Sequence, residues 1–144
     1  MKEKVSSTKW FGLAVQSLLV LADYDGICPS AIMAEKLGTK PLFLRKILTH
    51  LVKAELIAAK EGRDGGYYLA RSANEITLVE VYDAIRADPY SKGFLDVDGK
   101  ECFSPSTCSA LYELRDEMER WLVEGLAKKK LADLLPKEKN KTEL

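Results

Sequence analysis

Lys40, Arg45 and Lys46 lie off the apolar stripe Leu44, Ile47, Leu48 and Leu51, so this short segment is basic on one face and apolar on the other. That pairing of charge and periodicity suits a helix held by its apolar side and offered to a polyanion by the other. Arginine's planar fork matches the O6/N7 edge of guanine, a contact worth ~1–3 kcal/mol of discrimination, so Arg45 is the candidate base reader. Lys40 and Lys46 are candidates for holding phosphates. Arg63 stands in Glu61-Gly-Arg-Asp-Gly-Gly66, where glycines permit close backbone approach and an arginine can enter a narrow minor groove. Thr8 and Lys9 precede an apolar run, where the free N–H groups of a helix N-terminus favour an anion. Ser30, Thr39 and Pro41 complete the DNA-binding set, as capping or first-turn residues of the two helices around Gly38. The bland alternative for each charge is a solvated surface side chain.

Cys102 and Cys108 are the second group capable of chemistry. Two thiols with five residues between them on a segment rich in Gly, Ser, Pro and Asp can pass between dithiol and disulfide, with Cys108, just ahead of the long helix whose N-terminus favours its thiolate, as the oxidised thiol and Cys102 resolving the sulfenic acid. The alternative is an inert pair. Cys28, inside an apolar context, is expected to be structural. The chain has one His, no glycine-rich phosphate loop and no nucleophile, base and orienter at recognisable spacing, so it is not expected to be an enzyme. His50 falls late in the third helix and is expected to be structural, as are Trp10 and Phe43.

With 144 residues, 47% of them apolar, and 22 basic against 22 acidic side chains, the composition is that of one globular domain rather than a disordered tail. The zero net charge conceals an asymmetry. Residues 1–72 hold 11 basic and 7 acidic side chains, and residues 73–144 hold 11 and 15. A basic half beside an acidic half implies one face that meets polyanions and another with a different task. The apolar run from Trp10 to Ala22 has no cleavage site after it and falls short of the ~20 residues that a membrane span requires, so a cytoplasmic, non-membrane protein with reduced thiols is expected.

The elements that must position these groups follow from periodicity and punctuation. A first helix is predicted over Ser7–Asp23, and a second, two turns long, has Pro29 and Ser30 at its start and Gly38 at its end. Thr39 is the expected cap of a third helix with Pro41 in its first turn. Ile57–Lys60 and Tyr67–Leu69 flank the glycine-rich tip as a β-hairpin. Thr77-Leu-Val-Glu80 has the form of a capping box opening a helix to about Ala87. Residues 90–107 read as a long loop. From Ser109 the spacing Leu111, Leu114, Met118, Trp121, Leu122, Leu126 predicts a long amphipathic helix whose seam can pack on a second copy of itself.

Helix, short helix, glycine turn, helix and hairpin is the order of a winged helix-turn-helix. The expected architecture is therefore mostly α with a small β-hairpin. Its parts are a winged DNA-binding domain over 1–87, a cysteine-bearing loop over 88–108, a dimerisation helix over 109–135 and a frayed tail over 136–144. A protein-interaction module without DNA binding is the alternative from another class.

The third helix, the wing Glu61–Ala70, the stretch Glu75–Glu80 and the pair Cys102, Cys108 together resemble the Rrf2 family of bacterial transcription regulators, over most of residues 5–131. The resemblance implies a homodimer of winged helices joined by a long C-terminal helix, binding partly palindromic promoter DNA, usually as a repressor, with regulation by thiol redox state, a ligand or a partner protein. Gly62, Gly65, Gly66 and Tyr67 match the family's wing, whereas Glu61 stands where an arginine is common and Arg63 is placed to substitute for it. Cluster-binding members carry three cysteines before the long helix. Cys102 and Cys108 match two of these positions, Asp96 lies six residues before Cys102, and Leu111 stands where some members have histidine. No cofactor is therefore expected, an iron-sulfur cluster on Cys102, Cys108 and Asp96 being the alternative.

Overall fold

The computed structural model describes residues 7–86 and 103–136. Three helices, α1 (Ser7–Asp23), α2 (Ser30–Leu37) and α3 (Pro41–Lys53), precede a hairpin of β1 (Ile57–Lys60) and β2 (Gly66–Leu69). A short 3-10 turn at Ala73–Glu75 leads into α4 (Leu78–Arg86), and α5 (Pro105–Leu126) is followed by a second 3-10 turn at Leu131–Leu134. This is the expected winged helix-turn-helix with a long C-terminal helix.

The α3 stripe is buried as its spacing requires: Leu44, Ile47, Leu48 and Leu51 meet Trp10 and Leu18 of α1, Met33 of α2 and Ile85 of α4 in one core. Gly38 ends α2 in the left-handed conformation, φ 62°. With Gly38 N–H donating to Glu35 O and Thr39 N–H to Ala34 O, the chain turns sharply enough for α3 to cross α2. The hairpin pairs Ile57 with Leu69 and Lys60 with Gly66, antiparallel. Its second strand is tied back to the body by Cys28, whose N–H and C=O both bond Tyr67 at 2.9 Å. Glycine is required at residue 66, because a Cβ there would stand 2.3 Å from the Cys28 carbonyl oxygen.

Both caps expected of side chains differ. Ser30 is the first helical residue of α2, not its cap, and the cap position is held by Pro29 with no side-chain bond. Thr39 does not cap α3; Lys40 does, again without a side-chain bond. At Pro29 the residue stands outside the helix with ψ 145°, which leaves Ser30 as the first helical residue, whereas Pro41 forces the residue before it out of the helical region, to ψ 137° at Lys40. The capping box at α4 is present, Thr77 N–H donating to Glu80 Oε1 at 2.9 Å and Glu80 N–H to Thr77 Oγ1 at 3.4 Å.

The long helix also differs at both ends. It starts at Pro105, capped by Ser104 whose Oγ accepts from Thr107 N–H, so Cys108 lies inside its first turn rather than ahead of it. It stops at Leu126 rather than running to 135. The chain then returns to the winged core: Leu78 N–H donates to Lys129 O, Leu131 N–H to Ile76 O, and the Leu131 side chain is fully buried.

Candidate nucleic-acid interface

With one face of α3 sealed in the core, its other face is fixed in direction: Lys40, Pro41, Leu42, Arg45, Lys46 and Thr49 are exposed. Arg45 lines a groove of about 560 Å³ between the start of α2 and the wing, together with Pro29, Ser30, Ala31, Lys60, Glu61, Gly62, Gly65, Gly66 and Tyr67. The predicted residues Ser30 and Arg45 are thus brought together with the wing. Its tip, Gly62 to Asp64, is bent by the positive φ of Gly62 (106°), and Arg63 is exposed there.

Lys9 and Thr39 share a different hollow, between α1 and the α2–α3 turn, with Gln16 and Leu37. Two of the cations rest on aromatic rings where α1 packs on α3. Lys46 Nζ lies 5.3 Å from the Trp10 ring centroid and Lys9 Nζ 5.9 Å from that of Phe43, while Trp10 and Phe43 meet edge to face. Trp10 is core, as expected, with half-buried Phe43 packed against it, and the pair also orients two cations toward the exposed side of α3. Thr8 is helical, and its side chain lies outside the described residues.

Leu42 was absent from the expected set. It is 78% exposed at the second residue of α3, the most exposed of the large apolar side chains among the described residues. Its signal was its place outside the buried i, i+3, i+4, i+7 pattern.

In the thiol segment, Cys108 is half-buried, its N–H bonded to Ser104 O and its Sγ donating to Phe103 O at 3.9 Å. Cys102 and Asp96 lie outside the described residues. Cys28 is sealed beneath the wing strand, and burial pushes its thiol up against a smaller opposing effect of Lys36. Because the third thiol of the chain is locked into the winged core, the α4–α5 segment has only two to offer. A cluster held by three or four thiolates of one chain does not fit these residues. Among the described residues no group of three or more His, Cys, Asp or Glu side chains could hold a metal ion.

Among the described residues α5 is attached to the winged domain along one side. Tyr82 Oη donates to Glu119, Arg86 pairs with the same carboxylate at 2.9 Å, and Leu126 packs on the core. Burial and the Glu119 carboxylate push the Tyr82 phenol far up, so it stays a donor. The predicted seam is divided, with Leu126 on the attached side and Leu114 and Trp121 uncovered. Leu111, Met118 and Leu122 are half-buried, Leu114 is 40% exposed and Trp121 59% exposed.

The Rrf2 family, described as an iron-dependent transcriptional regulator, matches residues 7–137. A Lactococcus lactis subsp. lactis protein assigned as an HTH-type transcriptional regulator, YffB, is 30% identical over 127 residues, covering 84% of this chain and 81% of its own length. The HTH-type regulator IscR of Photobacterium profundum is 31% identical over 97 residues, 66% of this chain and 52% of that protein, so the match spans about half of it. Among solved structures, IscR of T. potens superposes with a TM-score of 0.64 at 26% identity, covering 99% of this chain and 91% of that one. Among the described residues no helix is long and apolar enough to cross a membrane.

Proposed function

Since the chain belongs to the Rrf2 family and is a DNA-binding transcription regulator, we propose that it acts in the cytoplasm as a homodimeric repressor, reading a partly palindromic operator with α3 and the wing. The observation that carries this reading is the single groove in which Arg45 faces the wing, on a helix whose opposite face is sealed. α3 enters the major groove, Arg45 takes a guanine edge, Lys40, Lys46 and Lys9 hold phosphates, and Arg63 reaches the adjacent minor groove. Ser30 and Thr39 stand at the DNA backbone beside α3, Pro41 opens α3 at its groove end, and Thr8 with Lys9 stands at the N-terminus of α1.

The second copy joins through Leu111, Leu114, Met118, Trp121 and Leu122, and two-fold symmetry of that seam imposes the palindrome. The proposed input is the α4–α5 segment, without an iron-sulfur cluster. Cys108 stands on the helix that carries the seam, so oxidation of the pair Cys102 and Cys108 acts where the spacing of the two winged domains is set. A regulatory protein on the acidic C-terminal half is the other route.

Affinity selection of genomic duplexes, run in parallel under thiol-reducing and mildly oxidising conditions, tests both parts. One motif in both arms makes the cysteines bystanders, and a motif in one arm makes them the switch. On the selected operator, Arg45→Ala relaxes sequence preference, whereas Lys46→Ala weakens binding to all sequences and lowers the salt slope by about 0.9. Arg45→Ala with unchanged preference and affinity overturns the placement of α3.

A further inference from the structure

Among the described residues Leu42 belongs to no part of the core. It lies on none of the buried positions of α3, it is 78% exposed, and the core that holds α3 is complete without it. An isolated exposed leucine on a protein surface is ordinary. This one stands one turn before Arg45, on the same exposed face and at the end of the helix that meets base edges in this docking geometry. Its neighbour Pro41 is also exposed and has no N–H. The leading edge of the helix therefore presents an apolar surface to base pairs, with the charged fork of Arg45 immediately behind it.

An aliphatic side chain in the major groove can distinguish base pairs in one way. Of the groups that tell base pairs apart there, all are hydrogen-bond donors or acceptors except the apolar C5-methyl of thymine, where cytosine carries only a hydrogen. We propose that Leu42 is a specificity-determining residue that reads a thymine methyl, one or two base pairs from the guanine taken by Arg45. The separation follows from geometry: residues three apart on a helix have Cβ atoms ~5–6 Å apart, against a rise of ~3.4 Å per base pair. A polar base edge at the same position leaves its donor or acceptor desolvated against the leucine, so the preference has a repulsive as well as an attractive part.

The inference rests on α3 reading the major groove, and the test separates the two. In the operator selected by the full chain, each thymine is replaced singly by deoxyuridine, which removes the methyl and leaves the hydrogen-bonding edge unchanged. Binding is measured for the wild type, Leu42→Ala, Leu42→Met and Arg45→Ala. Expected is one thymine per half-site whose methyl is worth about fourfold in wild-type affinity, the value of one buried methyl group. Leu42→Ala binds the unmodified operator more weakly and loses that sensitivity, while Leu42→Met, still apolar, keeps it. The substitutions are on an exposed first-turn position, where alanine and methionine both favour helix. A deoxyuridine profile identical in wild type and Leu42→Ala overturns the assignment of Leu42. If Arg45→Ala still loses its preference in that case, only this inference falls; if no variant, nor the wild type, selects any duplex, the reading of α3 falls with it.

Discussion

Substituting Trp121 by alanine tests whether the uncovered side of α5 is where two copies meet. A tryptophan side chain carries up to ~250 Å² of surface, so 59% exposure leaves roughly 150 Å² for a partner to cover. At ~25 cal/mol per Å² that is about 4 kcal/mol per copy, counted twice in a two-fold dimer, before ordering and association costs are subtracted. Allowing for those costs and for the Cβ that alanine retains, the loss is at least about 2 kcal/mol, a thirtyfold rise in the dimer dissociation constant. Tyr112 supplies the control. It is 40% exposed on the same helix, but nine residues from Trp121, which at 100° per residue puts it on the opposite side, stacked with Arg115 at 5.0 Å. Sedimentation over a dilution series reads the constant for each variant. Fluorescence gives a second view, because Trp10, the other tryptophan, is buried in the core and only Trp121 changes its surroundings on dissociation. If Tyr112→Ala weakens the dimer as much as Trp121→Ala, or if Trp121→Ala leaves the constant unchanged, the seam is not where two copies meet.

Leu131→Ala removes a fully buried side chain that docks the C-terminal turn and costs about 2–5 kcal/mol in denaturant unfolding, whereas Leu134→Ala, at an exposed position of the same turn, stays within about 0.5 kcal/mol; equal effects would mean that the turn is not anchored. For Glu80, burial raises the carboxyl but the Thr77 N–H, the Arg71 side chain and the Thr77 hydroxyl outweigh it, so its folded value lies below the ordinary one. A depressed carboxylate contributes stability that is present above its unfolded value of about 4.3 and lost as pH falls through the folded value. Glu80→Gln, measured by thermal unfolding, is therefore expected to be less stable than the wild type at pH 7 and to converge on it as pH falls through the depressed folded value; a gap that stays constant as the solution is acidified contradicts the assignment. Pulse alkylation followed by peptide mass spectrometry is expected to label Cys108 in the native protein and Cys28 only on unfolding, since Cys28 is sealed and its thiol is pushed up by burial; native labelling of Cys28 at the rate of Cys108 contradicts the closed wing strand.

What the sequence made legible was whatever neighbours within a few residues decide. The stripe Leu44, Ile47, Leu48, Leu51, the stop at Gly38, the hairpin around Gly65-Gly66 and the box Thr77–Glu80 depend on local spacing, and each stands in the structure where the spacing puts it. The start of α5 was legible in principle: Ser104 followed by Pro105 is a cap and a first-turn proline, but Pro, Ser, Thr and Cys in succession also have loop composition. Its end was not legible. Nothing near Leu126 requires the helix to stop there, and the return of Leu131 is fixed by bonds to Ile76 and by Lys129 to Leu78, partners some fifty residues earlier.

The same division runs through the candidate site. Arg45, Lys46 and Lys9 could be recognised as cations off an apolar stripe, but their roles separate only in three dimensions. Lys46 and Lys9 lean on Trp10 and Phe43, so the packing of α1 against α3 aims them, while Arg45 opens onto the groove under the wing. The aromatic pair therefore has two duties, filling the core and holding cations at the edge of α3. Substituting Trp10 would disturb both, whereas substituting exposed Lys46 removes the proposed phosphate contact and leaves the core side chains in place. Leu42 is the converse case: an apolar residue that periodicity leaves out of the core and that only its place at the tip of α3 makes informative. In a reading helix the residues that packing does not need are the ones free to specify sequence.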